Sequence, residues 1–289
     1  MFRPLLALFD RSRPARAARA GRALGEQAAA LLAAGQPEEA AATARQALTL
    51  LTDCPEAHAV LARLSLTGQP YLDTMRQIQA ALRPATYVEV GVCVGSSLER
   101  IAAGTRVVGI DPDPRPRGQL PPGFTIFAQT SDDFFATHNL TTELGGPVEL
   151  AFIDGMHLFE YALRDFMNIE AHCTPDATIL VHDCYPLDEN TAARDRITRF
   201  WTGDVWRLVV ALKRHRPDLS IVTFDAPLTG LVVIRQLDPA SRVIREHLAE
   251  IIRETLAVPF SDIADDKPAQ LNLRPGTRED VAAMFPARA

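Results

Sequence analysis

Hydrophobic positions change their period once along this chain. Between residues 21 and 84, Ala and Leu recur among Gln, Glu and Arg with few β-branched residues, the make-up of helices. From Thr86 onward, short runs of Val, Ile, Leu and Phe alternate with amphipathic helical stretches. TYVEVG (86–91), TRVVGID (105–111), FTIFAQ (124–129), VELAFID (148–154) and ATILVHD (177–183) predict strands, as do LSIVTFD (219–225) and LTGLVVIRQ (228–236). Helices are predicted at SSLERIAAG after the first strand, near SDDFFATHN, through FEYALRDFMNIEAH, and over about 189–214. Val243, Ile244, Leu248, Ile251, Ile252 and Leu256 share one face of a further helix within 240–256. After Pro259 the period fades, and the tail reads as an ordered wrap, a lid or a flexible end.

Repeated β–α units imply a mainly parallel sheet with helices on both faces. The short APL link (226–228) predicts an antiparallel hairpin at the sheet end. The expected divisions are an Arg-rich tail (1–20), a helical region (21–84), an α/β domain (85–238), and a C-terminal helix and tail (239–289). In the helical region the triplets Gly35-Gln36-Pro37 and Gly68-Gln69-Pro70 stand 33 residues apart and predict turns. Ala40 and Ala47 are small residues suited to close helix contact. This resembles about one and a half tetratricopeptide repeats, with another kind of helical hairpin as the alternative. So short an array is not expected to stand alone, and its last helix, Tyr71 to Leu82, is predicted to pack on the next domain.

Composition narrows the class. The chain has 289 residues, 47% hydrophobic and 23% charged, as in a soluble globular protein. A net charge of −6 argues against nucleic acid as the main partner. No apolar stretch approaches the length of a membrane helix, so no membrane partner is expected. Cys54, Cys93, Cys173 and Cys184 show neither C-x-x-C pairs nor zinc spacing, and read as reduced thiols of a cytoplasmic protein. The start, MFRPLLALFDRSRPARAARAGR, is arginine-rich and acid-poor; a solvated tail or frayed helix is the plain reading, an organelle transit peptide the other.

The chemistry begins at YVEVGVCVGSS. A strand ends in Gly91-x-x-x-Gly95, and glycines there let a ligand approach the backbone. In open α/β sheets ligands bind beyond the carboxyl ends of the strands. The spacing E-x-G-x-x-x-G, with Glu89 ahead of the loop, is not the G-x-G-x-x-G of dinucleotide sites. Asp111, ending the second strand, is placed to accept from ribose hydroxyls.

Together these residues resemble class I methyltransferases that use S-adenosylmethionine, over roughly 84–236. The resemblance implies a Rossmann-like α/β sheet of about seven strands, mainly parallel with the last antiparallel, beside the small all-α region. It implies that Gly91 and Gly95 border the methionine part, that Asp111 binds the ribose, and that Glu89 supports the loop or the amino group. Ser131 and Asp132, in QTSDDF after the third strand, are the implied adenine contacts.

FIDGMHLFEYALRDF and ATILVHDCYP are similar to a subgroup with D-G-x-H…D and H-D motifs, some of whose members methylate hydroxyls of sugars or small molecules with a divalent metal. That likeness makes Asp154 and Asp183 metal ligands and catalytic residues, with Mg²⁺ suited to carboxylates and water. A metal lowers the pKa of an acceptor hydroxyl, and His157 is the chosen base. His182 stands as a third ligand, a group behind the ligands, or a structural residue. Where relatives carry another acid or amide, this chain has His182 and Cys184, which opens the site to Mn²⁺, Fe²⁺ or Zn²⁺, or to no metal. The plainer readings are Asp154 as a helix cap, His157 as a helix-start residue, Asp165 salt-bridged or facing solvent, and Trp201 and Trp206 as packing.

The function expected is O-methyl transfer to a small-molecule or sugar acceptor. The helical N-terminus is then left to meet a protein partner, support self-association or cover the substrate mouth. The alternative is a repeat-based interaction protein whose methyltransferase-like domain binds ligand without turnover. A nicotinamide oxidoreductase is disfavoured by the loop spacing.

Overall fold

The computed structural model describes residues 13–286, so the first twelve residues of the Arg-rich stretch lie outside the described residues. The chain divides into two compact units: the part up to Ser65 with Ile197–Phe200, and Leu66–Arg196 with the chain from Trp201 onward.

The first unit is helical: α1 (Arg13–Ala33), α2 (Pro37–Leu50) and α3 (Pro55–Ser65). Its core is mostly alanine, with Ala28, Ala40, Ala44, Ala47 and Ala57 fully buried beside Cys54. Small side chains bring the helix axes close: a Cβ on Gly25 would sit 2.5 Å from Cys54 Sγ. The stretch between the two G-Q-P triplets holds a break the periodicity did not predict, at residues 51–54. Pro55 lacks the N–H that would continue α2 and instead opens α3. Phe200 stacks on His58 at 5.7 Å, and Asp53 accepts from the Arg199 backbone at 2.7 Å.

The second unit starts with α4 (Tyr71–Leu82) and continues β1 (Thr86–Val90), β2 (Arg106–Ile110), β3 (Phe124–Phe127), α5 (Ser131–Thr137), α6 (Leu140–Leu144), β4 (Val148–Ile153), α7 (Phe159–Glu170), β5 (Cys173–His182), α8 (Trp206–His215), β6 (Ser220–Phe224), β7 (Leu231–Arg235) and α9 (Val243–Leu256). The tail is an ordered wrap of α10 (Ser261–Ala264), α11 (Lys267–Gln270), β8 (Leu273–Arg274) and α12 (Arg278–Met284). One sheet runs β3-β2-β1-β4-β5-β7-β6-β8. All neighbours are parallel except β7, which is antiparallel to β5 and β6. This is the Rossmann-like sheet expected, with an eighth strand: β8 pairs with β6 through Thr223↔Leu273 and Phe224↔Arg274. The β1 strand is buried at all five positions because helices cover both faces. Met75 and Ile78 of α4, with Val281 of α12, pack on one face; Phe134, Phe159, Phe166 and Leu208 pack on the other.

One predicted helix is absent and another is shorter than expected. SSLERIAAG forms only a 3₁₀ turn at Leu98–Arg100. A parallel crossover must travel back along a five-residue strand, about 16 Å. The connection from Gly91 to Thr105 makes that return through turns and this 3₁₀ segment. Over 189–214 the only helix is α8, from Trp206. Residues ahead of it turn on local side-chain bonds: Thr191 N donates to Asp188 Oδ1 and Thr191 Oγ1 to Asp188 O, both at 2.9 Å. All four cysteines are free, and no helix among the described residues is long and apolar enough to cross a membrane.

Candidate active site

Strand register explains why the candidate residues converge. Val90 pairs with Ile110 on one side and Ile153 on the other. The residues that follow, Gly91, Asp111 and Asp154, therefore emerge together at the carboxyl edge, where strand order reverses between β1 and β4. Ile153 pairs with Val181, which sets Asp154 beside His182. In an extended chain Asp183 would point to the opposite face. Its left-handed φ of +58° breaks the alternation, and the carboxylate joins the cluster.

A cleft of about 530 Å³ lies over this edge, lined by Gly91, Cys93, Asp111, Thr130, Ser131, Asp132, Asp154 and His157 among others. Gly91 has φ +92°, and a Cβ there would lie 2.0 Å from Asp154 O. Close backbone passage is thus what this glycine supplies. Asp111 accepts from Cys93 N (2.8 Å) and Asp113 N (2.7 Å), so it ties the glycine loop to the end of β2. Gly95, at φ +75°, closes the loop through Gly95 N donating to Val92 O, and packs on Pro116.

Glu89 stands apart from the cleft. It is fully buried, and Tyr87 (2.6 Å) and Ser97 donate to it. Burial pushes its pKa up to about 8, while the two hydroxyl bonds pull the other way. Of the two roles the resemblance implied, this geometry matches loop support. Thr130 caps α5 by accepting from Asp133 N (3.1 Å), which presents Ser131 and Asp132 to the cleft. The Asp132 carboxylate is already held bidentately by Arg164 at 2.7 and 2.8 Å.

At the other end of the cleft, two carboxylates face two imidazoles. His157 Nδ1 lies 3.0 Å from Asp183 Oδ2, and Nε2 3.6 Å from Asp154 Oδ1. The first contact is close but bent, so Nδ1 has no partner in hydrogen-bond geometry. His182 Nδ1 lies 3.3 Å from Asp154 Oδ1 and 3.6 Å from Asp183 Oδ1, with Thr229 Oγ1 3.2 Å from Nε2. Burial opposes charge on His182, but Asp183 and Asp154 outweigh it and hold its pKa up to about 9. Burial likewise opposes charge on His157, and Asp183 turns the net shift upward. For Asp183 burial raises the pKa, yet the two histidines bring it below the usual carboxylate range.

Asp154, His182 and Asp183 offer ligand atoms that all lie within 4.8 Å of one another. A void of about 10 Å³, the size of one water, adjoins Asp154, His157 and His182. Two carboxylates, one imidazole and water-sized space fit a divalent cation. Thr229 behind His182 orients the ring in the manner of an outer partner to a metal ligand.

His157 is at φ +58°, outside any helix, rather than a helix-start residue. Trp201 stacks on it at 5.4 Å and 12°, and donates Nε1–H to Ala193 O at 2.6 Å. Gly203 closes the other side, where a Cβ would meet His157 O at 1.8 Å. Asp154 does not cap α7: Phe159 N donates to Asp204 Oδ1 at 2.8 Å. Asp204 is fully buried and pairs with Arg194 (2.7 Å) and Arg207 (3.2 Å). The expectation for Asp165 is overturned. It is 3% exposed and lines the cleft beside Ser131. Ala162 and Ile169 three before and four after it are buried, a helical stripe from which its burial could have been read. Tyr71, whose ring lies 4.0 Å from that of His182 and tilted by 30°, and Thr229 carry no sequence signal because nothing local ties them to β5.

The family model described as "Methyltransferase domain" matches residues 88–184, about a third of the chain. No curated protein matches significantly. Among solved structures, cofactor-bound Rv0187 from MTB is 16% identical, with a TM-score of 0.45 over 65% of this chain and 92% of that one. The Bacillus cereus O-methyltransferase in complex with SAH is 15% identical, with a TM-score of 0.45 over 61% and 86%. TomG of Streptomyces achromogenes, an O-methyltransferase in complex with SAM, is 15% identical, with a TM-score of 0.42 over 62% and 86%. The family match spans the glycine loop and all the candidate residues from Glu89 to Asp183, and over residues 88–184 the chain is similar to the methyltransferase-domain family, in keeping with its class I motifs.

Proposed function

We propose that the protein transfers a methyl group from S-adenosylmethionine to a hydroxyl of a small-molecule or sugar acceptor. The observation that carries this reading is one continuous cleft, with a nucleoside-sized volume and the glycine loop and Asp111 at one part of its wall and the Asp154–His157 corner at another. A carboxylate-lined cleft also suits a sulfonium cation.

In the reaction, the acceptor oxygen attacks the methyl carbon, the carbon–sulfur bond breaks, and its electron pair stays on sulfur as a thioether. The acceptor proton passes to His157, where Asp183 at 3.0 Å stabilises the imidazolium. Trp201 and the His157–Gly203 contact hold the ring's segment in place. Asp154, Asp183 and His182 would hold a divalent cation. Such a cation supplies Lewis acidity that makes the hydroxyl easier to deprotonate.

The test is calorimetry with S-adenosylhomocysteine, then transfer of labelled methyl from S-adenosylmethionine into a cell extract, with and without chelator. Nucleoside binding with methylated product at oxygen is expected. Failure to bind either nucleoside would end the proposal; full activity in chelator would remove the cation and leave the rest.

A further inference from the structure

α7 turns Ala162, Leu163, Phe166 and Ile169 into the core, and Asp165 stands among them at 3% exposure. A buried carboxyl needs compensation, usually a cation or several donors. Among the described residues Asp165 forms no ion pair, because the adjacent Arg164 guanidinium is committed to Asp132 at 2.7 and 2.8 Å. Burial pushes the Asp165 pKa up to about 7, against the opposing pull of the Ser131 side chain. The side chain nevertheless reaches two cavities: the cleft, beside Ser131, Asp132 and Gly155, and the water-sized void. A Cβ on Gly155 would sit 3.9 Å from Asp165 Oδ2, so this oxygen lies against the Gly155 backbone that lines the cleft.

This inference rests on the cofactor reading above. A ribose held at Asp111 leaves its base to meet the wall made by residues 130–132 and α7. We propose that Asp165 is a specificity residue of this wall: its carboxyl accepts a hydrogen bond from the exocyclic amine of the purine and so selects a 6-aminopurine nucleoside. While it keeps its own proton, the same carboxyl also offers an O–H to a ring nitrogen, a donor–acceptor pair that an amide side chain would reproduce. A base lacking the amine leaves the carboxyl unpaired in a buried wall, which is the condition for strong discrimination.

The experiment is a thermodynamic cycle on the full chain. Dissociation constants are measured by calorimetry for S-adenosylhomocysteine and for its analogue with hydrogen in place of the 6-amino group, against wild type, Asp165→Asn and Asp165→Leu. Wild type should prefer the amine by about tenfold. Asp165→Asn should keep most of that preference. Asp165→Leu should bring it to within about twofold, by weakening the adenosyl ligand rather than tightening the analogue. A wild type indifferent to the amine overturns the proposal even if the Leu variant fails to fold, and so does an unchanged preference in Asp165→Leu. If wild type binds neither ligand, the cofactor reading fails first and takes this inference with it.

Discussion

Replacing Gly91 by Ala should strike both fold and site, and a second glycine provides the control. Gly91 has φ +92° and Gly104 has φ +90°, so an L-residue at either pays for a left-handed backbone, about 1–2 kcal/mol. Around Gly104 a new Cβ meets nothing within 4 Å. At Gly91 it lies 2.0 Å from Asp154 O and 2.5 Å from Asp154 C. Both are backbone atoms and cannot rotate aside. The end of β4 must shift, against the Asp154 N to Val90 O bond of 2.8 Å, at a further cost of about 1–3 kcal/mol. Gly104→Ala should therefore lose about 1–2 kcal/mol, and Gly91→Ala about 2–5 kcal/mol. Urea unfolding at equilibrium measures both. Because Asp154 rides on the displaced segment, Gly91→Ala should also weaken S-adenosylhomocysteine binding, whereas Gly104→Ala should not. Equal stability of the two variants, or normal ligand binding by Gly91→Ala, would refute the close-passage argument.

Three further outcomes are expected. Glu89 has a pKa of about 8 in the fold against 4.5 unperturbed, so the folded chain keeps a proton that the unfolded chain releases. Its stabilising effect is complete below about 4.5 and is lost as pH rises toward 8, so wild type should lose stability relative to Glu89→Gln between pH 5 and 8; parallel urea curves across that range would contradict it. His157→Ala should lower methyl transfer by about 10²–10⁴-fold, the range for a lost general base, with S-adenosylhomocysteine affinity within about threefold of wild type; equal losses in both would make the residue structural. Asp204→Ala leaves Arg194 with Glu160 and Arg207 with the Thr255 and Val258 carbonyls but strips Phe159 N of its acceptor, and should cost about 1–3 kcal/mol in chemical denaturation; a loss under about 0.5 kcal/mol would show that Asp204 contributes little.

Much of the sheet was legible because strands buried on both faces announce themselves as unbroken apolar runs. Each of the seven strands read from the sequence is present, within a few residues of its expected ends. The two-residue β8 carried no such signal, since one short pairing to β6 defines it. The helix expected before Trp206 fails because Asp188 and Thr191 satisfy each other's backbone locally and Thr202 ties back to Thr191 across the loop, a competition that composition does not reveal. Within the site, Asp111, Asp154 and Asp183 were readable as acids at strand ends. Asp165 was misread: its burial follows the stripe of α7, but a carboxylate on a helix suggests solvent.

The succession of apolar runs, the glycine loop and the terminal acids is a property of neighbouring residues, so the sequence alone determined the α/β class and the edge of the sheet where chemistry could gather. The tertiary structure decided the rest: that Glu89 is sealed under the loop, that Tyr71 and Thr229 meet His182, and that Asp204 rather than Asp154 caps α7. Those outcomes depend on desolvation and on contacts between residues far apart in the chain, and no local pattern carries either quantity.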